Sequence, residues 1–243
     1  DATFYGDTCE ALEAQKTALR SAEKFIFMEY HAIEDASAWQ ELEDILAVRA
    51  GHFVEVRVFY DDVGSIGFIN SKFVKKLAGR GIQCRRFNPV IPILNVFMNN
   101  RDHRKITVVD GRVGFTGGYN LAEEYFNRTH PYGQWKDSGI RLEGEAVRGL
   151  TLIFLELWGA TQKAAPEVER YLPDVPYTAR ENAVVLPYAD NPLDDEATGE
   201  NVYLNMIRSA KDYVYITTPY LILSDEMQRT LRLAASSGVD VRI

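Results

Sequence analysis

Residues 103–120 read H-R-K-I-T-V-V-D-G-R-V-G-F-T-G-G-Y-N, and this stretch decides the fold that we expect. The apolar run Ile106–Val109 predicts a strand, and Val113–Thr116 predicts a second strand that returns beside it. Between them, Asp110-Gly111 is typical of a two-residue hairpin turn. The stretch therefore predicts a β-hairpin.

Side chains that can take part in binding or catalysis lie on both sides of this hairpin. His103 and Lys105 stand two residues apart, so in an extended chain they share a face. Gly117 and Gly118 allow the backbone to pass close to a bound group, and Asn120 adds an amide. An imidazole, a cation, an amide and open backbone N–H groups together suit a phosphoryl group. We also expect Asn120 to cap a helix over residues 121–124, with Glu123 completing a capping box.

Six of these residues form a spaced pattern that resembles the signature of the phospholipase D superfamily. They are His103, Lys105, Asp110, Gly117, Gly118 and Asn120. Neighbouring residues resemble the bacterial cardiolipin synthase branch of that family. They are Phe87-Asn88-Pro89, N-R-D-H-R-K at 100–105, G-F-T-G-G at 114–118 and Trp135-Lys136-Asp137. The resemblance runs from about Tyr5 to the end of the chain.

The resemblance implies a mechanism that elementary chemistry supports. A phosphodiester is a poor electrophile, but a neutral imidazole can attack it in line while an acid protonates the leaving group. By resemblance, His103 is the nucleophile and forms a phosphohistidine, and Lys105 clamps the phosphate oxygens. Asn120, Gly117 and Gly118 would hold the phosphate. No metal or cofactor is needed where cations and amides neutralise the oxygens.

Three carboxylates have roles that the sequence leaves open. Asp110 belongs to the catalytic signature, yet an Asp-Gly turn at the far end of a strand predicts a structural role. Asp137 resembles the family carboxylate that orients the catalytic imidazole, and a plain exposed acid is the alternative. Glu29 and Tyr30 follow a buried strand and could line the pocket. We expect His31 and the remaining histidines to be surface or packing residues.

Strands alternate with helices along the first part of the chain, which predicts an α/β fold. We expect a phospholipase D-like layered α/β/α sandwich with a mostly parallel mixed sheet. The predicted strands are 25–28, 54–60, 82–87, 106–109, 113–116 and 135–142. The predicted helices are 9–22, 38–49, 71–79 and 145–158.

An internal repeat predicts two related halves. Residues 19–28 match residues 207–216, and residues 54–58 match residues 239–243. We therefore expect a first unit over 1–160, a linker over 161–181 and the start of a second unit over 182–243. A second signature would fall near position 291, so the acid partner of His103 is expected from a missing second half or from a homodimer mate.

The net charge of −8 argues against general affinity for nucleic acid. The signature nevertheless lies in a basic band, because residues 71–112 contain ten lysines and arginines against two aspartates, a local balance of +8. Such a band would attract anionic phospholipids at a membrane surface. The apolar segment Val90–Met98 is either core or a lip that meets lipid. The resemblance implies the cytoplasmic face of the bacterial membrane, with an anchor outside this chain.

These observations favour a phosphatidyltransferase of the cardiolipin synthase type, which passes a phosphatidyl group through His103 to the alcohol of phosphatidylglycerol. Two alternatives remain open. One is a phospholipase D or nuclease that passes the group to water, and the other is an inactive lipid-binding fragment. We expect weak or no turnover from the 243 residues alone.

Overall fold

The computed structural model describes residues 1–89, 100–162, 167–174, 176–180, 182, 184–191, 193 and 196–243. These form two units, Asp1–Pro187 and Tyr188–Ile243. The expected lip Val90–Met98 lies outside the described residues.

A seven-stranded mixed sheet forms the centre of the first unit. Its strands are Ala2–Tyr5 (β1), Phe25–Tyr30 (β2), Glu55–Asp61 (β3), Gln83–Phe87 (β4), Lys105–Val109 (β5), Val113–Gly117 (β6) and Gly139–Glu143 (β7). They lie in the order β1-β7-β6-β5-β2-β3-β4. The strand β5, which begins at Lys105, therefore lies in the middle of the sheet.

The mixed α/β sheet is confirmed, but the expectation that it is mostly parallel is wrong. Only β2–β3 and β3–β4 pair in parallel, whereas the other four neighbouring pairs are antiparallel. Parallel neighbours need a long crossover connection, usually a helix, and the helices over 37–51 and 73–79 supply one between β2 and β3 and one between β3 and β4. From β5 onward the strands return through turns and loops.

Helices cover both faces of this sheet. They are Thr8–Arg20 (α1), Ser37–Gly51 (α2), Phe73–Gly79 (α3) and Ala146–Ala160 (α4). One apolar cluster joins α1, α2 and α3 to Ile26 and Met28 of β2, and a second joins α4 to Phe25 and Phe27. Successive side chains of a strand point to opposite faces, so β2 contributes to two cores and the unit has three layers.

The predicted hairpin forms between β5 and β6. Its turn residues Asp110 and Gly111 have φ values of +53° and +65°, as a two-residue turn with both central residues in the left-handed region requires. The N–H of Arg112 donates to the carbonyl oxygen of Val109 at 2.9 Å and closes the turn.

The predicted helix over 121–124 and its capping box are wrong. A short 3-10 helix spans Glu123–Phe126, and no side chain caps it. The Glu123 carboxylate instead accepts from the Oγ of Ser37 at 2.9 Å and from the N–H of Ala38 at 2.6 Å. Glu123 therefore caps α2, whose own N-cap residue, Ala36, has no side chain that can accept.

Part of the stretch expected to be a linker packs on the first unit. Val168–Tyr171 forms a 3-10 helix, and Tyr171 is buried with its ring 5.2 Å from that of Phe25 and 5.0 Å from that of Phe27. These ring contacts join this stretch to the first unit, which extends to Pro187. The first unit therefore ends beyond the expected linker of 161–181.

The second unit contains Thr198–Ser209 (α5), Tyr213–Tyr215 (β8), Asp225–Ser236 (α6) and Asp240–Arg242 (β9). The strands β8 and β9 are parallel, and Tyr213 pairs with Asp240. In the first unit, Phe25 pairs with Glu55 in the same way. The repeat relates these same positions, so the sequence match corresponds to a matching strand register.

The basic band is largely neutralised by acids from elsewhere in the chain. Five of its ten cations form ion pairs with carboxylates outside the band. They are Lys76, Arg80, Arg86, Arg101 and Arg104. The local balance of +8 in the sequence is therefore reduced in the fold, where these five cations lie beside acids from other segments. None of the described helices combines the length and apolar character needed to span a bilayer.

Candidate functional site

The segment that leads into β5 is held by Asp61, the last residue of β3. One carboxylate oxygen of Asp61 accepts from the N–H of Asp102 at 3.0 Å. The other accepts from the N–H groups of Val63 and Gly64 and from the guanidinium of Arg101 at 3.3 Å. The fully buried Asp61 carboxylate thus holds both the backbone that follows β3 and the backbone that precedes His103.

His103 lies at the surface directly before β5. Partial removal of the ring from water lowers its pKa to about 4, and the nearby charges of Lys105 and His31 act in the same direction. The carboxylate of Asp61 opposes them. The imidazole is therefore neutral at neutral pH, and its lone pair is available to attack an electrophile.

Lys105 is the first residue of β5 and is only 5% exposed. Its Nζ donates to the carbonyl oxygen of His103 at 2.7 Å. Burial lowers its pKa to about 8, although the negative charges of Asp102 and Asp137 oppose the shift. An ammonium buried beside a neutral imidazole is suited to bind an anion.

A second imidazole stands next to His103. The ring of His31 follows β2, and its centroid lies 4.7 Å from that of His103 with an angle of 58° between the rings. The Nδ1 atom of His31 is 2.7 Å from the carbonyl oxygen of Asp102. His31 is half-buried and packs against the ring of His103, so the expected packing residue lies beside the candidate nucleophile.

Glu29 does not line the pocket, because it is fully buried. Its carboxyl faces the α4 side of the sheet, where the Nε of Arg104 lies 3.3 Å from Glu29 and 3.6 Å from Asp102. Burial, reinforced by the charge of Asp102, raises the pKa of Glu29 well above its usual range. Tyr30 is also buried, on the opposite face, where its hydroxyl bonds to Gln15. Glu29 and Tyr30 therefore lie inside the fold, one on each face of the sheet.

Asn120 is 3% exposed, and both ends of its amide have partners. Its Oδ1 accepts from the N–H of Ala32 at 3.1 Å, and its Nδ2 donates to the hydroxyl of Tyr125 at 2.8 Å. Asn120 therefore anchors the loop that carries His31, and its expected role as a phosphate ligand remains a prediction.

The glycine pair serves close packing. A Cβ on Gly117 would lie 2.5 Å from the carbonyl oxygen of Ser138, and one on Gly118 would overlap the Asp137 carboxylate. The N–H of Gly118 donates to the same carbonyl oxygen of Ser138 at 3.2 Å. The expectation of open backbone N–H groups is therefore wrong at Gly118.

Asp137 accepts from the N–H of Ser138 at 2.8 Å and from the indole of Trp135 at 3.4 Å. Its charge acts on Lys105. Within the described part of the chain, no hydrogen bond joins it to His103. The structure thus associates Asp137 with the ammonium, and its expected role in orienting the imidazole remains a prediction.

Asp110 lies at the opposite end of β5, about 17 Å from Lys105 for five residues of extended chain. Its carboxylate accepts from three backbone N–H groups, those of Glu23, Lys24 and Phe25, at 2.7 to 2.8 Å. These bonds tie the turn to the start of β2. Asp110 therefore has the structural role that its Asp-Gly context indicates and cannot contact the group bound at His103.

The sequence missed two residues of the site, His31 and Asp61. Each directly follows or ends a buried strand, and this position is the signal that could have found them. Using it requires knowledge that β5 lies beside β2 and that β3 lies on the other side of β2.

Known proteins are similar to this chain over nearly its whole length. An uncharacterized protein of Streptococcus mutans is 44% identical over 99% of this chain and 52% of its own length. A cardiolipin synthase of Halalkalibacterium halodurans is 36% identical over 94% of this chain and 45% of its own length. The chain thus spans about half the length of the curated relatives it matches. No family model matches it.

A solved structure shares the fold. The phosphatidylserine synthase of Haemophilus influenzae superposes with a TM-score of 0.69 at 15% identity, covering 99% of this chain and 60% of that one. At this identity the likeness concerns the fold alone.

Proposed function

Since the chain belongs to the cardiolipin synthase branch of the phospholipase D superfamily, we propose that it forms part of a phosphatidyltransferase that makes phospholipid through a phosphohistidine at His103. One observation carries this proposal. The exposed, neutral imidazole of His103 lies directly before β5, and the buried ammonium of Lys105 donates to the carbonyl oxygen of that residue, so a nucleophile and an anion clamp lie at one end of β5.

In the first step, a ring nitrogen of His103 forms a bond to the phosphorus of a phosphatidyl donor, and the phosphorus–oxygen bond to the headgroup breaks. The headgroup alkoxide takes a proton from an acid and leaves as an alcohol. The Lys105 ammonium, whose remaining N–H groups can reach the phosphate oxygens, offsets the charge that builds on them.

In the second step, the hydroxyl oxygen of an acceptor alcohol forms a bond to the phosphorus, and the phosphorus–nitrogen bond breaks. The electron pair returns to His103, and the hydroxyl proton returns to the conjugate base of the acid from the first step. We propose phosphatidylglycerol as both donor and acceptor, so that the products are cardiolipin and glycerol.

The acid in this scheme comes from outside the described residues. We propose that a second catalytic half supplies it, either from a continuation of this chain or from a second copy. The substrates lie at a membrane surface, and we place the active protein at the cytoplasmic face of the bacterial membrane.

The test uses the complete protein with vesicles of phosphatidylglycerol and compares the wild type with His103→Ala. A matched control is His130→Ala, because His130 is an exposed histidine outside the signature. We expect cardiolipin formation to fall at least about 10³-fold in His103→Ala, the usual cost of losing a covalent nucleophile, and to stay unchanged in His130→Ala. Unchanged cardiolipin in His103→Ala contradicts the proposal. Release of phosphatidic acid alone assigns hydrolysis instead.

A further inference from the structure

The scheme above leaves His31 without a role, although its ring lies 4.7 Å from the nucleophile. The ring is held firmly. Its Nδ1 is 2.7 Å from the carbonyl oxygen of Asp102, and the carbonyl oxygen of His31 is 3.4 Å from the hydroxyl of Ser65. Gly64 makes room for the ring, since a Cβ there would lie 2.6 Å from both Cε1 and Nε2. Such packing fixes where Nε2 points.

The loop that carries His31 is held as well. The N–H of Ala32 donates to Asn120 at 3.1 Å, and the N–H of Ile33 donates to the hydroxyl of Ser65 at 3.2 Å. Both anchoring side chains are buried. Two buried polar residues thus position one partly exposed imidazole.

The contact with Asp102 decides the tautomer of His31. A carbonyl oxygen can only accept a hydrogen bond, so Nδ1 must carry a proton. In the neutral form of His31, this is the single N–H proton of the ring, so Nε2 presents a lone pair. Among the described residues nothing donates to that nitrogen, and it is not one of the buried polar atoms that lack a partner. The structure thus offers a fixed hydrogen-bond acceptor beside His103.

An acceptor at this position selects the chemistry of its ligand. The oxygens of an ionised phosphodiester can only accept, so they cannot bond to the lone pair of Nε2, whereas the Lys105 ammonium can donate to them. A hydroxyl group can donate. Lys105 therefore suits the phosphate oxygens, and His31 suits the hydroxyl of the acceptor, which meet in the transfer step.

We propose that Nε2 of His31 accepts a hydrogen bond from the hydroxyl of the acceptor alcohol and holds that oxygen beside the phosphorus bound to His103. This role rests on the proposed phosphatidyl transfer. His31 forms no bond to phosphorus and takes no proton in the step. It improves the chance that an alcohol, and not water, receives the phosphatidyl group.

Two substitutions separate this role from a merely structural one. In His31→Asn, the amide can still donate to the Asp102 carbonyl, but no acceptor remains at the position of Nε2. In His31→Gln, the longer side chain places an amide oxygen near the position of Nε2. The assay follows consumption of phosphatidylglycerol, formation of cardiolipin and release of phosphatidic acid by the complete protein, with thermal unfolding recorded for each variant.

We expect His31→Asn to lower the ratio of cardiolipin formed to phosphatidic acid released about 5-fold, the effect of one neutral hydrogen bond. His31→Gln should recover most of the ratio. A wild-type ratio in His31→Asn, or equal loss in both variants, overturns the role of His31 alone. A wild type that consumes no donor overturns the proposed function, and the acceptor role of His31 with it.

Discussion

The two ends of β5 carry residues of one sequence pattern but differ in how their polar groups are satisfied. At the Asp110 end, a buried carboxylate accepts from three backbone N–H groups. At the His103 end, an exposed neutral imidazole and a buried ammonium have pKa values lowered to about 4 and about 8. Polar groups whose hydrogen bonds are all made within the chain stabilise the fold. Polar groups with unused hydrogen-bonding capacity are available to a ligand.

The sharpest test of this comparison is to remove the Lys105 ammonium. We expect Lys105→Met to lower kcat/KM of the complete protein about 10²- to 10³-fold, because a donor to the transition-state oxygens is lost. The free energy of unfolding should stay the same or rise, because a buried charge is replaced by an apolar side chain. Steady-state kinetics and urea unfolding measure the two quantities. If Lys105→Met lowers stability and keeps activity, Lys105 serves the fold and not the binding of substrate.

The opposite outcome is expected at the other end. Asp110→Asn replaces the carboxylate with an amide whose NH₂ group faces a backbone N–H, so we expect the free energy of unfolding to fall by about 2 kcal/mol. The activity of the folded fraction should change little. Urea unfolding with exposed Asp174→Asn as the control measures the effect. Equal stability of the two variants would show that the three bonds to Asp110 do not hold the turn.

The pH dependence of kcat/KM follows from the two lowered pKa values. His103 must be neutral to attack, so activity is lost below about pH 4, and Lys105 must be charged to bind the phosphate, so activity is lost above about pH 8. Lys105→Arg should move the alkaline limit upward, since a guanidinium stays charged. An alkaline limit that does not move in Lys105→Arg would assign it to a different group.

The smallest effect concerns Glu123, which the sequence predicts in a capping box after Asn120 but which caps α2 in the fold. Glu123→Ala removes the cap of α2 and should lower the free energy of unfolding by about 1 kcal/mol without changing kcat. Glu124→Ala, one residue along the same 3-10 helix, serves as the control in the same urea titration. If Glu123→Ala lowers kcat with unchanged stability, Glu123 belongs to the site after all.

The predictions that succeeded are those that depend on neighbours in the sequence. The hairpin between β5 and β6 forms as expected, because Asp-Gly favours the turn that the strand twist needs. The structural role of Asp110 was also suggested by its local context. The face that His103 was expected to share with Lys105 stays a prediction, because β5 begins at Lys105.

The predictions that failed depend on residues far apart in the chain. Glu123 caps a helix 86 residues earlier, and Glu29 is buried because its strand is covered by α4 on that side. His31 lies next to His103 only because β2 and β5 are neighbours in the sheet. No local pattern encodes these contacts, so they could be found only once the strand order was known.

The most direct test of the central claim is to find the covalent intermediate. The complete protein is mixed with phosphatidylglycerol labelled in the phosphate, denatured in alkali within one turnover, digested and analysed by mass spectrometry. We predict a phosphatidyl group on the imidazole of His103, with no adduct in His103→Ala. Product formation with no adduct, or with the adduct on another residue, would contradict the account.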